Sequence, residues 1–265
     1  MDIASRSALA LAALRKKRPL VHNIANYVSM DVAANALLAI GASPAMVHAS
    51  EEVAEFAALS DALVINIGTL SAPWVEAMRL AARAANTKPI PWVLDPVGAG
   101  ATSFRNRTIA ALLEERPAVI RGNASEILAV AGAAGAKPKG VDSANTPEEA
   151  AAVADALAER LHCTVVASGA IDLITDGSHR IRLGNGHPIM TKVTALGCAL
   201  SAIVGAFAAV ERDPFAAAAT AAAVYGVCGT LAAKHAQGPG SFRVAFIDML
   251  ERIDADAIKT HLKVL

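Results

Sequence analysis

The chain has 265 residues, 54% hydrophobic and 18% charged, with a mean hydropathy of +0.43. This composition excludes a disordered chain and leaves ample material for a large core. Lys plus Arg number 24, as do Asp plus Glu, so no net field draws nucleic acid or an anionic membrane.

Taken in order, Ser5–Lys17 is an expected amphipathic helix whose basic cluster Arg15-Lys16-Lys17-Arg18 suits a helix C-terminus. Its charges follow the apolar stretch, the reverse of a secretion signal. Leu20–His22 reads as a strand, Asn23–Tyr27 as a polar turn and Met30–Ile40 as a helix stopped by Gly41. An apolar run at Ala45–Val47, a helix over Glu51–Leu59 and a strand over Ala62–Ile67 follow. Ser71 caps the next helix, with Pro73 in its first turn. Strand Ile90–Leu94 ends in Asp95, helix Asn106–Glu115 leads to strand Ala118–Arg121, and Gly122–Glu126 opens another helix. Short strands that are apolar on both faces, alternating with helices, predict a parallel sheet covered on both sides.

Pro138–Asn145 reads as a surface loop, and Thr146-Pro147-Glu148-Glu149 as a helix start. Strands are expected over Thr164–Ala167, Leu173–Thr175 and His179–Leu183, with Asp176-Gly177 turning the last two into a hairpin. Three helices complete the chain: Ala199–Val210, Phe215–His235 and Ser241 to about Leu262. The stretch Pro214–Ala233 is uncharged and long enough to span a bilayer, but Thr220, Gly226 and Thr230 interrupt it. It reads as a helix of the core or of a subunit interface. No repeat or linker divides the chain, so residues 1–265 are read as one domain. Cys163, Cys198 and Cys228 form no C-x-x-C pair, which suits a reducing, cytoplasmic setting and offers no zinc site.

In an open parallel sheet, ligands bind beyond the carboxyl ends of the strands. Those ends deliver Asp95, then Arg121, Asn123 and Glu126, then Ser168-Gly169, and finally Thr191–Cys198. Two acids, a guanidinium, a hydroxyl and a glycine turn entering a helix are the parts of a phosphoryl-transfer site. The acids suit Mg²⁺, while the cation and the free N–H groups suit phosphate. Cys198, at the start of that last helix, stands where the helix dipole would favour a thiolate. The chain lacks G-x-x-x-x-G-K-[ST], G-x-G-x-x-G after the first strand, H-E-x-x-H and G-x-S-x-G, which sets aside P-loop, dinucleotide-binding, zincin and acyl-transfer readings.

Several ordered segments resemble the hydroxyethylthiazole kinase family of ribokinase-like enzymes. They are Pro19–Val28, Asn35–Pro44, Asn66–Leu70, Leu94–Gly100, Arg121–Ile127 and Gly238–Phe242. The resemblance implies a three-layer α/β/α sandwich around a mostly parallel sheet. It also implies phosphorylation of 4-methyl-5-(2-hydroxyethyl)thiazole with ATP and Mg²⁺, by a homotrimer whose active sites lie between subunits. By position it assigns Met46, Asn23 and Ala195 to the thiazole alcohol, Arg121 and Ser168 to ATP, and Asp95 and Glu126 to magnesium. Ala195, Leu196, Gly197 and Cys198 would form an anion hole, with Cys198 as the catalytic base. The family pattern before this cysteine is V-T-G-small-G-C, whereas this chain reads Val193-Thr194-Ala195-Leu196-Gly197-Cys198. Two alternatives therefore stand beside the kinase. One is a ribokinase-like lyase acting on a hydrated nicotinamide nucleotide, and the other an impaired homologue that still binds the thiazole.

Overall fold

The computed structural model describes residues 1–136 and 146–265; the loop expected over Pro138–Asn145 lies outside them. One eight-stranded sheet has the order β2-β1-β3-β4-β5-β6-β7-β8. Its strands are β1 (Leu20–Ile24), β2 (Ser43–Ala45), β3 (Ala62–Asn66), β4 (Trp92–Asp95), β5 (Val119–Asn123), β6 (Thr164–Ser168), β7 (Asp172–Thr175) and β8 (Arg180–Leu183). The first six run parallel, while β6–β7 and β7–β8 pair antiparallel, so the sheet is mostly parallel as expected.

Side-chain alternation along the strands splits the core in two. Val21, Val64, Val93, Val119, Val166 and Ile174 pack on one face, against α1 (Ile3–Lys17), α2 (Met30–Ile40), α8 (Leu196–Ala208), α9 (Pro214–Ala233), α10 (Pro239–Arg252) and α11 (Ala255–His261). Leu63, Ile65, Trp92, Leu94, Ile120 and Val165 pack on the other, against α3 (Val53–Leu59), α4 (Ala72–Asn86), α5 (Ser103–Leu113), α6 (Ala124–Ala133) and α7 (Pro147–Leu161). The result is a three-layer α/β/α sandwich. Helix α9 is the one helix among the described residues long and apolar enough to cross a membrane, and 83% of its apolar window is buried inside the protein. It is the central helix of the first core.

The C-terminal region departs from the single helix expected over Ser241–Leu262. Ile253 is extended, and Asp254 caps a new helix by accepting from the Ala257 N–H. The Arg15 guanidinium reaches across and donates to the carbonyls of Leu250, Glu251 and Ile253, satisfying the end of α10. A 3-10 turn, Pro188–Lys192, also goes unforeseen; it carries the chain from β8 towards α8.

Candidate active site

The same alternation that builds the first core builds the site. Asn66, Asp95, Arg121 and Ser168 each follow by two residues a valine of that core, namely Val64, Val93, Val119 and Val166. With a strand period of two, all four project from the face covered by α8, at successive strand ends.

Helix α8 begins at Leu196, three residues earlier than expected. Ala195 is its N-cap, with φ 68° and ψ −2° and no side-chain cap bond. The first N–H groups of this long helix therefore open towards the strand ends. The buried Tyr225 hydroxyl donates to the Leu196 carbonyl (2.6 Å) and fixes the first turn. Arg121 lies directly over it: a Cβ at Gly197 would stand 2.8 Å from Arg121 Nη1, so only glycine lets the guanidinium approach the backbone this closely.

Arg121 is 8% exposed and donates from Nη2 to Ser168 Oγ (2.6 Å). Its Nε has no partner, and among the described residues it forms no salt bridge. A buried, unpaired cation beside a helix N-terminus is costly unless an anion completes it. A cavity of about 640 Å³ opens beside it, bordered also by Ser168, Asp172, His187, Leu196 and Tyr225.

Asp95 is fully buried. Its Oδ2 accepts from Asn66 Nδ2 (2.6 Å) and Ser201 Oγ (2.8 Å), while Oδ1 has no partner. Burial pushes its pKa up to about 6, partly offset by the positive charge of Arg121. Glu126 is engaged differently. Its two oxygens accept from the N–H groups of Gly98 and Asn123 (both 2.8 Å), closing a capping box with Asn123 at the start of α6. No cluster of three or more His, Cys, Asp or Glu that could hold a metal exists among the described residues. A site made by protein alone is thus not present. Mg²⁺, however, commonly takes one or two carboxylates and completes its shell with phosphate and water. The unpartnered Asp95 Oδ1, with Glu126 close enough to raise the Asp95 pKa, fits that use.

Cys198 departs from the thiolate expected at a helix terminus. Burial, and then the nearby negative charge of Asp95, push its pKa up, outweighing Arg121 and the amides of Asn66 and Asn26. Desolvation by the sheet and a carboxylate neighbour are tertiary effects that a heptamer of sequence does not display. Asn26 Nδ2 contacts the sulfur at 3.6 Å and donates to Asn66 Oδ1 at 2.7 Å.

Among the described residues, neither Asn23 nor Met46 hydrogen-bonds through its side chain to this cluster. Asn23 is buried within β1 with its Oδ1 unpartnered, and it is Asn26 that contacts Cys198. Met46, just past β2, is half-buried against the first core. Four contributors escaped the sequence reading: Asn26, Asn66, Ser201 and Arg105. Ser201 carried the plainest signal, a lone hydroxyl in an apolar helix one turn beyond Cys198. Arg105 donates to the carbonyls of Ile67, Gly68 and Val97, clamping together the loops that follow β3 and β4.

Comparison with known proteins places the chain among relatives. The model of the "HK: Hydroxyethylthiazole kinase family" matches residues 11–256. Among similar curated proteins, a hydroxyethylthiazole kinase of Cereibacter sphaeroides (strain KD131) is 55% identical over 248 residues, 94% of each chain. One from Nitratidesulfovibrio vulgaris (strain DP4) is 51% identical over 256 residues, 96% of each. A solved hydroxyethylthiazole kinase of Pyrococcus horikoshii superposes with a TM-score of 0.91 at 42% identity, covering 98% of both chains. A Staphylococcus aureus pyridoxal kinase solved with AMP-PCP and pyridoxal shares the fold alone, with a TM-score of 0.62 and 14% identity over 80% of this chain and 88% of its own. By this likeness over nearly its whole length, the chain belongs to the hydroxyethylthiazole kinase family, within the ribokinase-like fold.

Proposed function

We propose that this protein transfers the γ-phosphoryl group of ATP to the primary hydroxyl of 4-methyl-5-(2-hydroxyethyl)thiazole, yielding ADP and the thiazole phosphate used to make thiamine. The observation that carries this reading is Arg121: a buried guanidinium without a carboxylate partner, held over Gly197 at the open end of α8 and facing a nucleotide-sized cavity. The triphosphate occupies that cavity, with Arg121 and Ser168 on its phosphates and the first N–H groups of α8 receiving the transferred group. The thiazole alcohol lies towards Met46 and Ala195, its hydroxyl beside Cys198.

In the step itself, the hydroxyl oxygen bonds to the γ-phosphorus as the bond to the β–γ bridging oxygen breaks, and ADP leaves. The hydroxyl proton passes to the deprotonated fraction of Cys198. Because burial and Asp95 disfavour the thiolate, that fraction is small at neutral pH, and turnover is slow. Asn26 orients the sulfur. Asp95 and Glu126 are the residues that would hold Mg²⁺, which would neutralise phosphate charge. Arg121 and the α8 N–H groups hold the phosphoryl oxygens in line.

A homotrimer with active sites between subunits is part of the same reading. Support comes from exposed Tyr27, Val28, Leu38 and Val244, and from a surface groove lined by Val32, Val244 and Ile247 together with Asn35, Arg243 and Asp248. The three unpaired cysteines support a cytoplasmic setting.

The test is coupled ADP release with hydroxyethylthiazole, hydroxymethylpyrimidine and buffer alone. Thiazole-dependent ADP formation is expected, with a loss of about 10²- to 10⁴-fold in Cys198→Ala. ADP-dependent dehydration of a hydrated nicotinamide nucleotide, without thiazole turnover, would replace the kinase with the lyase. Thiazole binding without ADP release would leave an impaired homologue.

A further inference from the structure

Two side-chain amides connect Cys198 to Asp95, and their orientation is fixed by donors that cannot be mistaken for acceptors. Asn26 Oδ1 accepts from the backbone N–H groups of Val28 (3.0 Å) and Ser29 (3.1 Å), so Asn26 presents its NH₂ end to Cys198 and Asn66. Asn66 Oδ1 accepts from the Gly68 N–H (2.9 Å) and from Asn26, so its NH₂ end faces Asp95 Oδ2. The chain of donors thus runs one way, from two backbone turns through both amides to the sulfur and the carboxylate. Ser201 closes the far end on the same Asp95 oxygen. Asn66 and Ser201 are both buried, and neither lines the cavity. The close pass depends on Gly68, where a Cβ would stand 2.4 Å from Asn26 Nδ2.

We infer that Asn66 is a positioning residue for phosphoryl transfer: with Ser201 it holds Asp95 by one oxygen, leaving the other free, and through Asn26 it sets the place of the Cys198 sulfur. This rests on the kinase reading for its consequence in turnover, but its geometric content stands without it. A carboxylate held on Oδ2 alone has one orientation. With either donor gone it can turn, and Oδ1 no longer faces a fixed direction. The network joins the turn after β1, strands β3 and β4, and α8, so it also keeps the acid and the sulfur at a constant separation.

The experiment compares Asn66→Ala, Ser201→Ala and the double variant with the wild-type protein. Each single variant is expected to lower kcat about tenfold or more, with KM for ATP and for the thiazole alcohol changed less than about threefold. Because both residues act through one carboxylate, the double variant falls short of the product of the two losses. Losses that multiply, or that fall on KM with kcat intact, overturn the inference. A second readout needs no turnover. Iodoacetamide alkylation of Cys198 in the ligand-free protein, followed by peptide mass while Cys163 and Cys228 stay buried, is expected to change at least threefold in Asn66→Ala. An unchanged alkylation rate overturns the positioning role. If the wild-type protein makes no ADP with the thiazole alcohol, the kinase reading falls and the alkylation comparison still decides on Asn66.

Discussion

Arg121 and Gly197 occupy one space: a Cβ on residue 197 would sit 2.8 Å from Nη1 and 3.2 Å from Nη2 of the guanidinium. The proposed phosphate-binding cation and the helix N-terminus therefore meet at one point. Gly197→Ala separates stability from function. Alanine within a helix is favoured over glycine by about 0.5–1 kcal/mol, and the guanidinium can move into the adjoining cavity, so the thermal midpoint should stay level or rise. Displacing Arg121 by even about 1 Å should reduce kcat/KM for ATP by about 10- to 100-fold. Parallel thermal scans and ATP titrations check this; a variant losing both stability and activity would refute the division.

Much of this arrangement is written in the strands. Val64-Ile65-Asn66, Val93-Leu94-Asp95, Val119-Ile120-Arg121 and Val166-Ala167-Ser168 repeat one pattern: a valine for the α8-side core, an apolar residue for the opposite core, then a polar residue back on the first face. Val21-His22-Asn23 follows it too, although His22 supplies the middle position and bonds the Val47 carbonyl. Periodicity thus places the strand-end residues without any long-range information. It does not reach Asn26, which lies in a turn with no repeat and gains its role only where Gly68 lets it pass. Nor does it foresee the break at Ile253, whose carbonyl accepts from Arg15, nearly the whole chain away. The state of Cys198 is hidden for the same reason. Burial and the neighbouring Asp95, which raise its pKa, come from how α8 packs on β4, whereas the sequence reveals only the helix terminus.

Ala195 is the one non-glycine residue at the site with positive φ. An alanine in this left-handed region costs about 1–2 kcal/mol, part of which glycine returns through its looser unfolded chain. Ala195→Gly is expected to stabilise the protein by about 0.5–1 kcal/mol, raising the thermal midpoint by about 2–4 °C. Chemical denaturation monitored by circular dichroism measures the gain. A loss of stability would mean that the alanine methyl makes packing contacts worth more than the strain. The Ala195 methyl is half-buried, next in sequence to Leu196 at the cavity border. Removing it should lower KM for the thiazole alcohol while leaving KM for ATP unchanged.

Asp172 is the only acid among the described residues lining the cavity that holds Arg121. One oxygen accepts from the Gly169 N–H (3.0 Å), and burial raises the carboxyl pKa above its ordinary value, with Gly169 and Arg121 opposing the rise. A carboxyl whose folded pKa is raised stabilises the fold fully below its unfolded pKa, and that contribution is lost as pH climbs through the folded value. At neutral pH the ionised Asp172 is therefore a net burden, both to the fold and to a polyanionic ligand entering the same cavity. Asp172→Asn keeps an acceptor for Gly169 and removes the charge. Its thermal midpoint should exceed that of the wild-type protein at pH 7 to 8, and the two should converge as pH falls below about 4, where the wild-type carboxyl is protonated in both states. Over the same neutral range KM for ATP should fall severalfold, because one negative charge no longer opposes the triphosphate. Midpoints measured across that pH range, with ATP titrations at neutral pH, decide the matter. A variant less stable than wild type at pH 7.5, or one that binds ATP more weakly, would show that Asp172 instead makes a favourable contact with the nucleotide or with Arg121.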